Sequence, residues 1–243
     1  MLSVVDLIED GTVDVPTAGY LLAAVANDAS FLTAAGPGGV GKSTLLGCLL
    51  SFLPLGERIV TVTDPASVRQ SGDRRCFLCH EIGSGHWYGY LWGRQAAQFF
   101  ALRRHGRIAA AIHADTVEQI EDQVLGPQIG ADPGDLAAVD LVAFMVHQRG
   151  LRRVSAIFEA DGGEELTYRQ VAEWRASSDD FGLLESALLP RLIATGPAPQ
   201  VPAQTQAANA SELIEKLVAD AVYLMEDVMA AVAGFYDQHY PDR

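Results

Sequence analysis

The chain is poor in lysine. Of its 243 residues only Lys42 and Lys216 carry an ammonium group; its other basic side chains are arginines, and 17 bases face 31 carboxylates for a formal charge of −14. A nucleic-acid-binding face needs a stripe of cations, and none appears, which argues against a DNA or RNA partner. Cysteine is scarce as well: three residues do not build a disulfide framework. No apolar run reaches the roughly 20 residues of a membrane span. Residues 1–10 hold three carboxylates and no base, unlike a secretory leader. A cytoplasmic location is expected, at most peripheral at the inner face of the membrane. Arginine in place of lysine, with abundant acids, reads as the surface of a halophile's protein, kept dispersed by negative charge; GC-rich coding gives the same bias.

Two of the cysteines fall in Cys76-Phe77-Leu78-Cys79-His80, which matches the C-x-x-C-H pattern of c-type haem attachment. They also lie in an apolar run that reads as a core strand, so buried thiols behaving as small apolar residues are the simpler account.

What the chain has is concentrated in residues 31–44, FLTAAGPGGVGKST, where a short apolar run meets the spacing G-x-x-x-x-G-K-[ST] of a P-loop. Glycines let successive backbone N–H groups curl around phosphate oxygens, the lysine reaches the β and γ oxygens, and the hydroxyl that follows ligates Mg²⁺. The helix that opens there turns the positive end of its dipole to the same phosphates. ATP with Mg²⁺ is therefore the expected ligand. Its candidate contacts are Gly36, Pro37, Gly38, Gly39, Val40, Gly41, Lys42, Ser43 and Thr44, with Ser43 on the metal.

Around the loop, residues 1–9 and 17–27 read as short helices, and 41–52 as the helix leaving the loop, stopped by Pro54 and Gly56. Strands are expected at 58–63, ending in Asp64-Pro65, at 75–82, ending in His80-Glu81, and at 107–112, running into His113. Helices 94–105 and 117–125 alternate with them, and two further strands are expected at 141–146 and 153–158. This alternation predicts an α/β fold with a mainly parallel central sheet, whose strand-end residues Asp64, Glu81 and His113 converge on one edge. The expected division is a helical lead-in at 1–30, a nucleotide-binding core at 31–165 and a helical extension at 166–195. A Pro/Ala/Gln linker at 196–209 and a C-terminal helix at 210–243 complete it.

In this order the motifs resemble the secretion ATPase family of type II and type IV systems, in particular the archaeal branch that powers pili, archaella and secretion. GPGGVGKST resembles its Walker A, IVTVTDPASV its Asp box, HEIG the end of its Walker B strand and AIHADTVEQIEDQV its His box. The resemblance implies a RecA-like core that works as a hexameric ring and moves a membrane platform. It implies that Lys42 and Ser43 hold phosphates and Mg²⁺, that Glu81 orients or deprotonates the attacking water, and that Asp64 and His113 sense or position the γ-phosphate. Such roles suit phosphoryl transfer, which asks for positioning and charge stabilisation.

Plainer roles stand beside these: Glu81 as a strand-end carboxylate, His113 as a hydrogen-bonded histidine, Asp64-Pro65 as the start of a turn. The chain also departs from the family. His80 replaces the glycine before the Walker B glutamate, Thr63 replaces the first acid of the Asp box, and Ser67 stands where a second acid is usual. The family's N-terminal domain is expected to be absent. The arginines that close over the nucleotide belong to it or to a neighbour, which predicts slight turnover outside an assembly. Two other readings stay open. One is a regulatory subunit of a full-length secretion ATPase. The other is a partition ATPase, whose Walker A also ends in GGVGKST but whose signature lysine would fall at Pro37.

Overall fold

The computed structural model describes residues 2–36, 38–69, 72–162, 166–196 and 201–241; the expected phosphate contact Pro37 lies outside them. Helix α1 (Val4–Glu9) begins at a reciprocal cap: the Ser3 hydroxyl accepts from the Asp6 N–H at 3.3 Å, and the Asp6 carboxylate accepts from the Ser3 N–H at 2.7 Å. Asp14 caps α2 (Val15–Ala26), which carries Pro16 in its first turn. Strand β1 (Phe31–Ala34) enters the phosphate loop and α3 (Lys42–Leu50) leaves it. There follow β2 (Arg58–Thr61), β3 (Arg75–Ile82), the short β4 (Tyr90–Leu91), α4 (Arg94–Ala101), β5 (Arg107–Ile112), α5 (Val117–Leu125) and α6 (Pro133–Ala137). The rest of the chain forms β6 (Leu141–Gln148), β7 (Leu151–Ala160), β8 (Tyr168–Arg175), β9 (Asp180–Leu183), α7 (Leu188–Thr195), α8 (Ala203–Ala219) and α9 (Met225–His239).

The strands form one sheet in the order β2-β3-β5-β1-β6-β7-β8-β9, with β4 beside β3. Pairings from β2 to β6 are parallel, and the last three, β6 to β9, are antiparallel. The mixed α/β fold with a mostly parallel centre agrees with the sequence. The central strands are covered on both faces, which is why β5 reads Arg-Ile-Ala-Ala-Ala-Ile with every residue buried. One face packs against α2, α3, α8 and α9, the other against α4, α5 and α6. Among the described residues no helix is long and apolar enough to cross a membrane.

Strand β5 lies between β3 and β1, so the strand that ends in Glu81 is one removed from the P-loop strand. Three expectations are corrected here. Residues 166–195 are not a helical extension: they form β8, β9 and only then α7. Their helix-compatible residues are overridden by the open antiparallel edge of β7, against which Val171 and Ala172 are buried. The linker at 196–209 gives way to helix from Ala203, since Ala and Gln are good helix formers and the small stripe packs on α2. There a Cβ on Gly19 would come within 2.8 Å of the Ser211 backbone. The single C-terminal helix is two, broken at Ala221, whose φ is +52°.

All three cysteines are free and buried, and burial pushes each thiol up to about 12. Cys76 and Cys79 sit within β3, which agrees with the buried-thiol account. The reactive species is the thiolate, so both geometry and charge oppose reaction at neutral pH. A maleimide or disulfide reagent is expected to label the folded chain slowly and the chain in guanidinium chloride at once; fast labelling of the native protein would contradict this core.

Candidate active site

The site lies at the carboxyl ends of the parallel strands, where β1, β3 and β5 deliver Gly36, Glu81 and His113. There a cleft of about 710 Å³ is lined by Gly38, Gly39, Gly41, Lys42, Ser43 and Thr44 of the loop and by Glu81, Tyr90 and His113. Val40 turns its side chain into the core instead, leaving only its backbone for a ligand. Gly41 caps α3 with φ +120°, a conformation side chains rarely adopt, and a Cβ there would press on the Met145 methyl at 3.0 Å. Gly36 is held differently: its N–H donates to the Asp115 carboxylate at 2.7 Å, so the loop's first turn is tied to the segment after β5.

Lys42 is only 5% exposed. Its Nζ lies 3.3 Å from His113 Nδ1 and 3.7 Å from Glu81 Oε2. His113 Nδ1 is also 3.0 Å from the Gly36 carbonyl, and its Nε2 lies 3.8 Å from Glu81 Oε2. With Nδ1 protonated the ring donates to the loop; with Nδ1 bare it accepts from the lysine and turns its Nε2 N–H toward the acid. Glu81 is buried, and among the described residues its Oε1 has no hydrogen-bond partner. Burial raises its carboxyl above the ordinary carboxylate range, while Lys42 and His113 pull the other way. A carboxylate held close to a lysine, with one oxygen unengaged, can accept a proton or order a water.

Of the strand-end residues expected to converge, Glu81 and His113 meet at Lys42 and Asp64 does not. Its carboxylate accepts from the Ala66 N–H at 3.1 Å, capping the short turn Pro65–Ser67. It lines a separate recess with Arg58, Arg69 and Arg75. The sheet order is the reason: β2 is the outermost strand, beyond β3 and β5 from the loop. Arg74 and Arg75 are also turned away, to Asp28 and to the Arg69 carbonyl.

The sequence reading missed two parts of the site. Asp115 stands where the resembled His box has asparagine, and its bond to Gly36 follows from the parallel pairing of β1 and β5. Arg152 lines the cleft from β7, with a guanidinium N–H donating to the Gly39 carbonyl at 3.4 Å. A signal for it was present: Arg149-Gly150 between two β-branched runs is a hairpin turn, which sends the next strand back beside the loop.

No family model matches the chain. Over 68 residues it is 46% identical to an uncharacterized protein of Methanocaldococcus jannaschii, a stretch covering 26% of this chain and 9% of that protein. It is also similar to the crystal structure of the VirB11 ATPase from the Brucella suis type IV secretion system in complex with sulphate. That likeness has a TM-score of 0.41 and 20% identity, over 58% of this chain and 53% of that one. The chain thus spans under a tenth of the first protein and about half of the second, and neither likeness decides its chemistry.

Proposed function

We propose that the chain binds MgATP in this cleft and hydrolyses it as a motor subunit of the secretion and type IV pilus kind. The meeting of Lys42, His113 and Glu81 within 3.8 Å at the mouth of the phosphate loop carries this reading. The cleft fits the ligand: a Cβ at Gly38 or Gly39 would meet nothing within 4 Å among the described residues, so the loop backbone there stands open to phosphate oxygens. Lys42 then leaves Glu81 and His113 for the β and γ oxygens. The Ser43 hydroxyl, exposed beside it, would hold Mg²⁺, and the metal's charge would neutralise those oxygens. Glu81 Oε1 accepts the proton of the attacking water or aligns it, and His113 couples that acid to the Gly36 carbonyl of the loop. Asp64 keeps the turn-capping role its position supports.

The parallel half of the sheet supports the RecA-like core implied by the motif order. Assembly into a ring or with a full-length secretion ATPase, and coupling to a membrane platform protein, rest on that resemblance alone; the absence of a nucleic-acid partner rests on charge. The test is phosphate release from MgATP per subunit against protein concentration, with mass followed by light scattering and with a full-length secretion ATPase added. The rate per subunit is expected to rise together with the mass. A rate already maximal in a sample that scatters as a monomer would remove the assembly from this proposal.

A further inference from the structure

Strands β6 and β7 are joined by the two-residue turn Arg149-Gly150, and both residues have positive φ, 55° and 81°. Turns of that kind match the twist of the strands they join, so the hairpin tip is stiff. Its base is fixed too. Arg153, buried, pairs with both carboxylate oxygens of Asp179 at 2.8 and 2.9 Å and donates to the Asp10 carbonyl at 3.0 Å. Adjacent side chains along a strand leave on opposite faces, so anchoring Arg153 on one side turns Arg152 to the other, where the cleft lies.

Several arginines, Arg75 among them, hold no carboxylate among the described residues, and of these it is Arg152 that lines the phosphate-loop cleft. Arg103, Arg107, Arg153, Arg169 and Arg191 each hold a carboxylate within 3.5 Å. Among the described residues Arg152 holds none; its guanidinium makes one hydrogen bond there, to a neutral carbonyl of the phosphate loop at 3.4 Å. With a formal charge of −14, acidic partners are plentiful elsewhere on the molecule. A guanidinium left free of them beside a phosphate loop presents a planar fork suited to two phosphate oxygens. Sheet order adds the geometry: Lys42, His113 and Glu81 gather on the β5 and β3 side of β1, whereas β7 approaches from the β6 side.

We propose that Arg152 is a second phosphate-binding cation of the cleft, gripping nucleotide bound to its own chain from the side opposite Lys42. The proposal rests on the nucleotide-binding reading above. It also places on this chain a charge that the family resemblance assigns to another domain or a neighbour.

The test uses the full chain as wild type, Arg152→Ala, Arg152→Lys and Lys42→Ala, with MgATP affinity measured by calorimetry and folding by thermal melting. Arg152→Ala is expected to lose about 10- to 100-fold in MgATP affinity, the weight of a charge-assisted bond to phosphate, with an unchanged melting midpoint. Arg152→Lys should regain part of the loss, because it restores the charge without the fork. Mixing Arg152→Ala with Lys42→Ala should create no tight sites beyond those each variant has alone. Equal affinity in wild type and Arg152→Ala overturns this inference and leaves the nucleotide reading standing. New tight sites on mixing overturn it as well, since they would show the arginine acting on a neighbouring chain. A wild-type chain that binds no MgATP overturns the nucleotide reading and this inference together.

Discussion

Lys42→Ala is expected to weaken MgATP binding by on the order of 10²-fold, the loss of charge-assisted hydrogen bonds from an ammonium to phosphate. The argument begins with where the lysine sits. A side chain of this kind is rarely 5% exposed unless its charge is compensated, and here the compensation is loose: Glu81 Oε2 at 3.7 Å and His113 Nδ1 at 3.3 Å. Phosphate oxygens offer the ammonium shorter and stronger partners, so exchanging those contacts for nucleotide is favourable. Alanine removes that exchange but leaves the loop's backbone donors and the α3 dipole in place, which is why a residual, weaker affinity is expected. Titration calorimetry on wild type and variant decides it. Equal affinities would mean that the loop at 36–44 is not where nucleotide binds.

How much of this was legible in the residues depends on the range of each interaction. The phosphate loop is a local code, in which spacing alone specifies which backbone groups and side chains face a phosphate. The structure sets Gly38, Gly39, Gly41, Lys42, Ser43 and Thr44 on one cleft. The convergence of Glu81 and His113 follows one level up, from the rule that parallel strands bring their carboxyl ends to one edge. Which strand lies next to which is not a local property. Nothing in the run Arg-Ile-Ala-Ala-Ala-Ile says that β5 inserts between β1 and β3, yet that insertion puts His113 beside the lysine and leaves Asp64 on the outermost strand. Residues 168–175 show the same limit: Tyr-Arg-Gln-Val-Ala-Glu-Trp-Arg suits a helix almost as well as a strand, and the open edge of β7 decides. Residues 203–210 show the converse, since Ala- and Gln-rich sequence is linker or helix according to whether a surface waits for it. Here Gly19 of α2 provides one.

Glu81→Gln is expected to abolish turnover while sparing nucleotide affinity, with a fall in rate of about 10²–10⁴-fold, the range of a lost general base. Glutamine keeps the shape and a carbonyl oxygen for hydrogen bonding but cannot take a proton. The variant therefore separates proton transfer from packing. Affinity should hold or improve, because the substitution removes a negative charge from beside the phosphates and frees Lys42 of its carboxylate neighbour. The pH profile is a second check with a definite sign. Burial disfavours the ionised carboxylate and raises Glu81 above the ordinary carboxylate range, against the pull of Lys42 and His113. The base is competent only when ionised, so the wild-type rate should climb with pH and reach its plateau later than an exposed glutamate would allow. Glutamine does not titrate, so whatever rate remains in the variant should lack that rise. An unchanged rate in Glu81→Gln, or a wild-type rate already flat across the acid range, would return Glu81 to the role of a buried strand-end carboxylate whose only task is to hold Lys42 and His113 in place.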